Sequence, residues 1–291
     1  MNIVVFDTET TNINKPFCYN IGYVIVNVET DTILLKRDYV VEQVWHNPML
    51  FTTAYYADKR AIYVNRMRAR QVIMEKYGYI TQQMIRDFKQ YEIEYTFAFN
   101  SPFDNGVFDY NCEWFKTNNP FDTVKIRDIR GFVHNFIAFT QEYKDFCDSE
   151  SAKAKTQCEL LKQEYKLKPT EELKDKIAYY DKLAKSFYTE SGNYSTTAET
   201  VYRYITNNID FIEEHTALAD SEIEWEILRY CLLKGAKIDQ EYKVYHSVKT
   251  NSKKQLEIVH NGQTTLFDYI DRRDYKDTNG TRVSKIVLKN N

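Results

Sequence analysis

The chain has 291 residues, 43% of them apolar and 28% charged, with a formal net charge of −3. That length and apolar share suit one large or two modest domains with a sizeable core. The charge excludes bulk attraction to a polyanion, so any nucleic-acid contact has to use a local basic patch. No apolar run reaches the roughly 18 residues of a membrane span, and the first strand starts too early to leave room for a signal peptide. Cys18, Cys112, Cys147, Cys158 and Cys231 are scattered without C-x-x-C spacing, which indicates neither a zinc site nor a disulfide framework. A reducing, cytoplasmic location is expected.

The first strand, Ile3 to Phe6, runs into Asp7-Thr8-Glu9-Thr10-Thr11. Residues i and i+2 of a strand share a face, so Asp7 and Glu9 project together. Such a pair repels itself unless a cation sits between the two carboxylates, and oxygen-only ligands suit Mg²⁺ or Mn²⁺. Taken alone, the stretch reads equally as a strand ending in solvated acids. Residues 20–28 and 32–41 read as second and third strands joined by a short polar link, an antiparallel hairpin. Residues 55–77 read as helix, with Lys59, Tyr63, Arg66 and Arg70 on one face. That stripe is either a solvated face or a track for a phosphate backbone. A fourth strand, residues 94–99, ends in Asn100-Ser-Pro-Phe103-Asp104-Asn-Gly106. Helix follows from Val107 to Phe115, and residues 121–128 read as a fifth strand. Strands alternating with helices after a starting hairpin indicate an α/β domain.

Residues 142–190 are dense in charge, with apolar positions spaced 4-3-4, and Lys168-Pro-Thr170 breaks the run. Two amphipathic helices folded on each other are expected, either as a structural hairpin arm or as a clamp for substrate or partner. Thr196-Thr-Ala-Glu199 reads as a capping box. The last core helix follows, with His215 and Asp220 near its start and Glu222, Glu224 and Glu226 read as solvated. Residues 236–291 read as a small β-rich appendage, with Asn261-Gly262 between two alternating runs as a hairpin signal and a second Asn279-Gly280 beyond it.

These pieces resemble the DEDDh family of 3′–5′ exonucleases on the ribonuclease H-like fold, which includes the epsilon proofreading subunit of bacterial DNA polymerase III. The residues that carry the resemblance are Phe6-Asp7-Thr8-Glu9-Thr10-Thr11, then Asn100 with Phe103-Asp104, then His215-Thr-Ala-Leu218-Ala-Asp220, with Ile21-Gly22 in the second strand. The sister branch with Tyr four residues before the last Asp has Thr216 at that position here. Five residues advance a helix by roughly 500°, so His215 is expected where the helix begins, with Asp220 held inside. The match covers roughly residues 1–140 and 193–234. It implies an exonuclease core with mixed sheet over residues 1–235; the helical hairpin inserted at 142–190 and the β-rich extension over 236–291 depart from the family's pattern.

The resemblance further implies two divalent ions, Mg²⁺ or Mn²⁺, held by Asp7, Glu9, Asp104 and Asp220, with His215 as general base. Asp109 competes with Asp104 on position, but Asp104 stands at the family's distance from Asn100. Thr8, Thr10, Asn100, Phe103, Lys59, Arg66 and Arg70 are the expected nucleic-acid contacts. The expected substrate is the 3′ end of single-stranded DNA, with RNA as the alternative. A different reading is an adaptor subunit: Gln263-Thr-Thr-Leu266-Phe267 resembles the peptide by which bacterial replication proteins bind the sliding clamp, so clamp or polymerase is a possible partner.

Overall fold

The computed structural model describes residues 1–50 and 59–248 with their side chains, the backbone of residue 51, and the backbone of three later strands, 254–260, 263–276 and 282–288. The chain divides into two units, Met1–Val248 and Lys249–Asn291.

The first unit is built on a six-stranded sheet in the order β4-β3-β2-β1-β5-β6. Its strands are β1 (Asn2–Thr10), β2 (Cys18–Asn27), β3 (Thr32–Val41), β4 (Ile73–Glu75), β5 (Tyr95–Ala98) and β6 (Lys125–Asp128). β1, β2 and β3 form the antiparallel part, while β5 and β6 run parallel to β1 and β4 runs parallel to β3. This is the mixed sheet expected of an α/β core. Ile3 to Phe6 are fully buried because helices cover both faces of β1. The period of two sends Ile3 and Val5 into one core and Val4 and Phe6 into the other.

Helices α1 (Glu42–Trp45), α2 (Pro48–Phe51), α3 (Arg60–Arg68), α4 (Tyr77–Gln90), α5 (Ser101–Phe115), α6 (Ile129–Val133, running into a π-helical turn His134–Ala138), α7 (Gln141–Leu167), α8 (Glu171–Ser186), α9 (Ala198–Thr206) and α10 (Ala217–Leu233) complete the unit. The long helix expected over 55–77 is not formed: α3 ends at Arg68, Arg70 adopts φ +58°, and β4 follows. The four-position basic stripe therefore does not share one helical face. Residues 52–58 lie outside the described residues. α7 and α8 pack on each other as the expected hairpin, with the Thr170 hydroxyl capping α8 by accepting from the Leu173 N–H at 3.2 Å. The base of the arm is core, since Cys147, Ala154, Leu183, Ala184 and Phe187 are buried in one cluster with Ile3 and Val5. The capping box is displaced by one residue. Thr197 caps α9 by accepting from Thr200, while Glu199 pairs with Arg203 and accepts from the Glu213 N–H.

The expected boundary after residue 235 moves to 248. Ala236, Ile238 and Val248 are buried in the core of the first unit, and the Tyr242 ring lies 4.7 Å from Phe132. The second unit is an antiparallel sheet of β7 (Lys254–His260), β8 (Gln263–Lys276) and β9 (Arg282–Leu288). His260 pairs with Gln263, so β7 and β8 are antiparallel neighbours; Asn261-Gly262 lies outside the described residues. Gln263, Leu266 and Phe267 lie in β8, paired with His260, Glu257 and Leu256. That segment is a strand hydrogen-bonded along one edge, not the free peptide tail that clamp binding of this kind uses. Asn279-Gly280 lies outside the described residues.

Candidate active site

The end of β1 carries Asp7, Thr8 and Glu9. Asp7 stands opposite Gly22 of β2, and the first turn of α10 rests there. A Cβ on Gly22 would lie 2.1 Å from the Leu218 backbone nitrogen, so a side chain at this position would push α10 off the strand. Thr216 offers α10 no side-chain cap. Asn20 of β2 supplies one instead, its Oδ1 accepting from the Ala217 N–H at 2.8 Å, while the Ser221 hydroxyl donates to the Gly22 carbonyl at 3.1 Å. These contacts fix α10 against β2 and hold Asp220 inside, 4% exposed. His215 sits two residues before α10 with φ +56°, a left-handed turn that starts the helix.

Glu9, His215 and Asp220 bring one ligand atom each to within 4.8 Å of one another. Asp220 Oδ1 is buried without a hydrogen-bond partner, which is costly in an apolar setting and is relieved by a cation. Asp104 enters from α5, held by a 2.7 Å hydrogen bond from the Thr8 hydroxyl. α5 starts at Ser101, six residues before the expected Val107. Pro102, in the first turn, has its φ preset and lacks an N–H only where helices leave N–H groups unpaired. Asn100, at φ +73°, turns the chain from β5 into α5, and its N–H donates to Asp128 Oδ1 at 3.1 Å.

The acids press on one another. Burial, then Asp104 and Glu213, raise the Asp7 carboxyl well above its ordinary value. Burial, then Asp7 and Glu213, do the same to Glu9. Burial takes Asp104 up to about 7 against the opposing Thr8 hydrogen bond. Burial and then Asp7, Glu213 and Glu9 take Asp220 to about 10. Burial and then Lys59 lower the His215 pKa, so its imidazole is neutral near neutral pH. Hard oxygen donors crowded beyond what they can ionise alone fit a divalent cation, and Asp7, Glu9, Asp104 and Asp220 are the residues that could hold it.

Of the other expected residues, Thr8 binds Asp104, the Thr10 hydroxyl donates to the Asn12 carbonyl at 3.2 Å, and Asn100 lines the cleft. Phe103 is partly buried against the core below β1. Lys59 lies close enough to Glu9 and His215 to act on both charges. Arg66 is a structural clamp: it takes both oxygens of Glu214 at 2.8 Å and donates to the Thr216 hydroxyl at 3.0 Å, bracing the segment that carries His215. Arg70 is exposed beyond α3. Asp109 is outside the cleft, accepting from Asn105 and Asn119.

Sequence reasoning missed three residues that line the cleft, Glu213, Glu224 and Arg130. Glu224, read as solvated, is 3% exposed and accepts from the Phe99 N–H at 3.0 Å. It stands four residues after Asp220, one helical turn on, so the helix period places the two on one face. By contrast Glu222 pairs with Lys36 and Glu226 with Arg229. Glu213 lies 4.0 Å from His215 Nδ1, and burial raises it to about 7 with help from Glu199. Arg130 pairs with Asp128 at 3.0 Å. The base of the arm closes the cleft with Thr189 and Ser195 to Thr197.

No family model matches the chain, and no curated protein matches it. Similar solved structures include a 3′-exonuclease recognising the 3′ end of a histone mRNA stem-loop, at 13% identity over 91% of this chain and 89% of that chain, with a TM-score of 0.48. A second is the nuclease domain of 3′hExo, a DEDDh family member, bound to rAMP, at 13% identity over 85% of this chain and 97% of that chain, TM-score 0.48. A third is E. coli Exonuclease I with a dA16 oligonucleotide, at 12% identity over 80% of this chain and 40% of that chain, TM-score 0.44.

Proposed function

We propose that the chain is a metal-dependent 3′–5′ exonuclease acting on single strands, with DNA as the first substrate and RNA as the second. The observation that carries this reading is the buried, unpartnered Asp220 carboxylate oxygen facing Glu9 and His215 in a cleft of mutually repelling acids. Two ions, Mg²⁺ or Mn²⁺, held by Asp7, Glu9, Asp104 and Asp220, would polarise a phosphodiester and neutralise charge developing on its oxygens.

His215 takes the proton of the attacking water on an imidazole nitrogen that burial keeps neutral. Thr8 fixes the Asp104 carboxylate, and Arg66 fixes the turn that aims His215. Asn100, Thr10 and Phe103 bound the place of the 3′-terminal nucleotide, with Lys59 a nearby cation. All five cysteines are buried and free, which suits a cytoplasmic setting.

The deciding experiment is purified protein with Mg²⁺ or Mn²⁺ on 5′-end-labelled single-stranded DNA, duplex DNA, mismatched primer-template and RNA. Stepwise shortening from the 3′ end is expected, lost with EDTA and with Asp7→Ala. Shortening that survives chelation, or none on any substrate, would overturn the reading.

A further inference from the structure

Between the β1–β2 loop and α5 lies an aromatic cluster, half-buried at Phe17 and Tyr110 and exposed at Trp114, that no step above uses. The Phe17 ring packs edge-on against Tyr110 at 5.3 Å and Trp114 at 5.2 Å, and the Tyr110 and Trp114 rings lie nearly parallel at 6.3 Å. Trp114 is 60% exposed, whereas Trp45 and Trp225 are buried. An indole left to water on a helix flank is an unused apolar surface.

The cluster is held in place. The Thr11 N–H donates to the Phe17 carbonyl at 2.9 Å. The Asn111 side chain spans the loop, donating to the Pro16 carbonyl at 2.7 Å and accepting from the Cys18 N–H at 3.2 Å. Two exposed lysines flank it, Lys15 in the loop and Lys116 just past α5. Among the described residues neither is in an ion pair. The acids of α5 beyond its first turn, Asp109 and Glu113, fall by their spacing on the outer face of the helix.

Part of this surface lies on the same helix as Asp104. Phe103, Tyr110 and Trp114 stand at i, i+7 and i+11, one flank of the helix whose first turn carries Asp104. Ten residues from Asp104 to Trp114 span about 15 Å along the axis. Flat rings rimmed by free cations match single-stranded nucleic acid, whose bases stack on aromatics and whose phosphates take the lysines. We propose that Phe17, Tyr110 and Trp114, flanked by Lys15 and Lys116, form a stacking platform for the part of a single strand that lies upstream of the 3′ end in the cleft. It rests on the exonuclease reading for the position of the 3′ end, but not for the binding itself.

The test is binding of fluorescein-labelled dT10 and dT2 in EDTA, read by anisotropy and by quenching of tryptophan emission, alongside hydrolysis of thymidine 5′-monophosphate p-nitrophenyl ester with Mn²⁺. In a Trp114→Ala variant, dT10 binding is expected to weaken roughly 5- to 150-fold, the span of one lost stack. Binding of dT2 and hydrolysis of the ester should stay at the parent's level. Trp114→Phe should restore most of the dT10 affinity, and Lys15→Gln with Lys116→Gln should flatten the salt dependence by about 0.7 per lost contact. Unchanged dT10 binding, or equal weakening of dT2, overturns the platform; if Trp114→Ala then lowers self-association, the occupant is a second copy of the chain. A parent that binds dT10 through Trp114 yet hydrolyses nothing refutes the exonuclease reading alone.

Discussion

Glu224 is the residue whose environment departs furthest from its sequence appearance. It sits among charged neighbours in Ser221-Glu-Ile-Glu-Trp-Glu226, yet it is buried and caps the end of β5 through Phe99. Glu224→Gln keeps an oxygen to accept that N–H and removes a carboxyl whose ionisation is opposed by burial, then by Asp7 and Asp104. Its melting temperature without metal should match or exceed the parent's, while Mn²⁺ affinity falls by about 10-fold, the lower range for residues supporting a metal site. Glu224→Ala leaves the N–H unpaired and should cost about 1–3 kcal/mol. Thermal melts and Mn²⁺ titration separate the two, and identical behaviour of both variants would show that the carboxylate has no such role. For His215 the sign follows from burial: a lowered pKa keeps the imidazole neutral to lower pH. The acidic limb of kcat should then fall below the ordinary imidazole value of about 6.5. His215→Ala should reduce kcat about 10²–10⁴-fold with single-strand binding retained. A limb at or above pH 7 would argue that another group takes the proton.

Among the elements, the contact of α10 with β2 sets the site. Gly22→Ala places a methyl 2.1 Å from the Leu218 nitrogen and 2.2 Å from the Ala217 carbonyl carbon. Backbone has to yield, at an overpacking cost of about 1–3 kcal/mol, and displacement of His215 and Asp220 should lower turnover on the order of 10²-fold. Turnover like the parent's, with a melting temperature lowered, would mean that the helix slides without carrying the site. The first three strands were the legible part of the sequence: β3 occupies the expected residues, and β1 and β2 differ only at their ends, because apolar stretches bounded by polar turns admit little else; β4 lies inside the residues read as helix, and β6 starts at Lys125 and not at residue 121. Helix ends were less legible. α5 begins early because Pro102 favours a first turn, and the helix read over 55–77 fails because Arg70 turns left-handed before β4. Glu224 was missed because alternate glutamates were read as one solvated set, where the period of the helix separates 224 from 222 and 226. Arg66 looked like a phosphate contact because sequence shows a cation's position and not Glu214 waiting beside it.

For the whole molecule, the acid cluster makes stability depend on pH and on metal together. Asp104 and Glu213 at about 7 and Asp220 at about 10 bind protons in the folded state that an unfolded carboxylate releases near about 4. The folded chain thus holds more protons between about pH 4 and those values, so its stability without metal falls as pH rises through that window. A divalent ion bound among these acids would oppose this by favouring their ionised forms. In EDTA the melting temperature should be lower at pH 8.5 than at pH 5.5, and Asp220→Asn should flatten the difference. At pH 8.5, Mn²⁺ at a hundred times its Kd should add about 2.7 kcal/mol, or about 5–10 °C for a unit of this size. A parent that melts higher in EDTA at pH 8.5 than at pH 5.5 would sink the account.

The bonds from Asn20 and Gly22 to the start of α10 join residues 197 and 199 positions apart. Asp7 and Glu9 leave the ribosome about 200 residues before their partners His215 and Asp220, which emerge only after most of the first unit has been made. While the chain is being translated, its acids are present without the helix that closes the cleft, so the cleft cannot assemble before α10 has been made. Activity should therefore switch on in one step when α10 docks. A stalled chain lacking α10 should be inert, whatever its first 200 or so residues have already folded into.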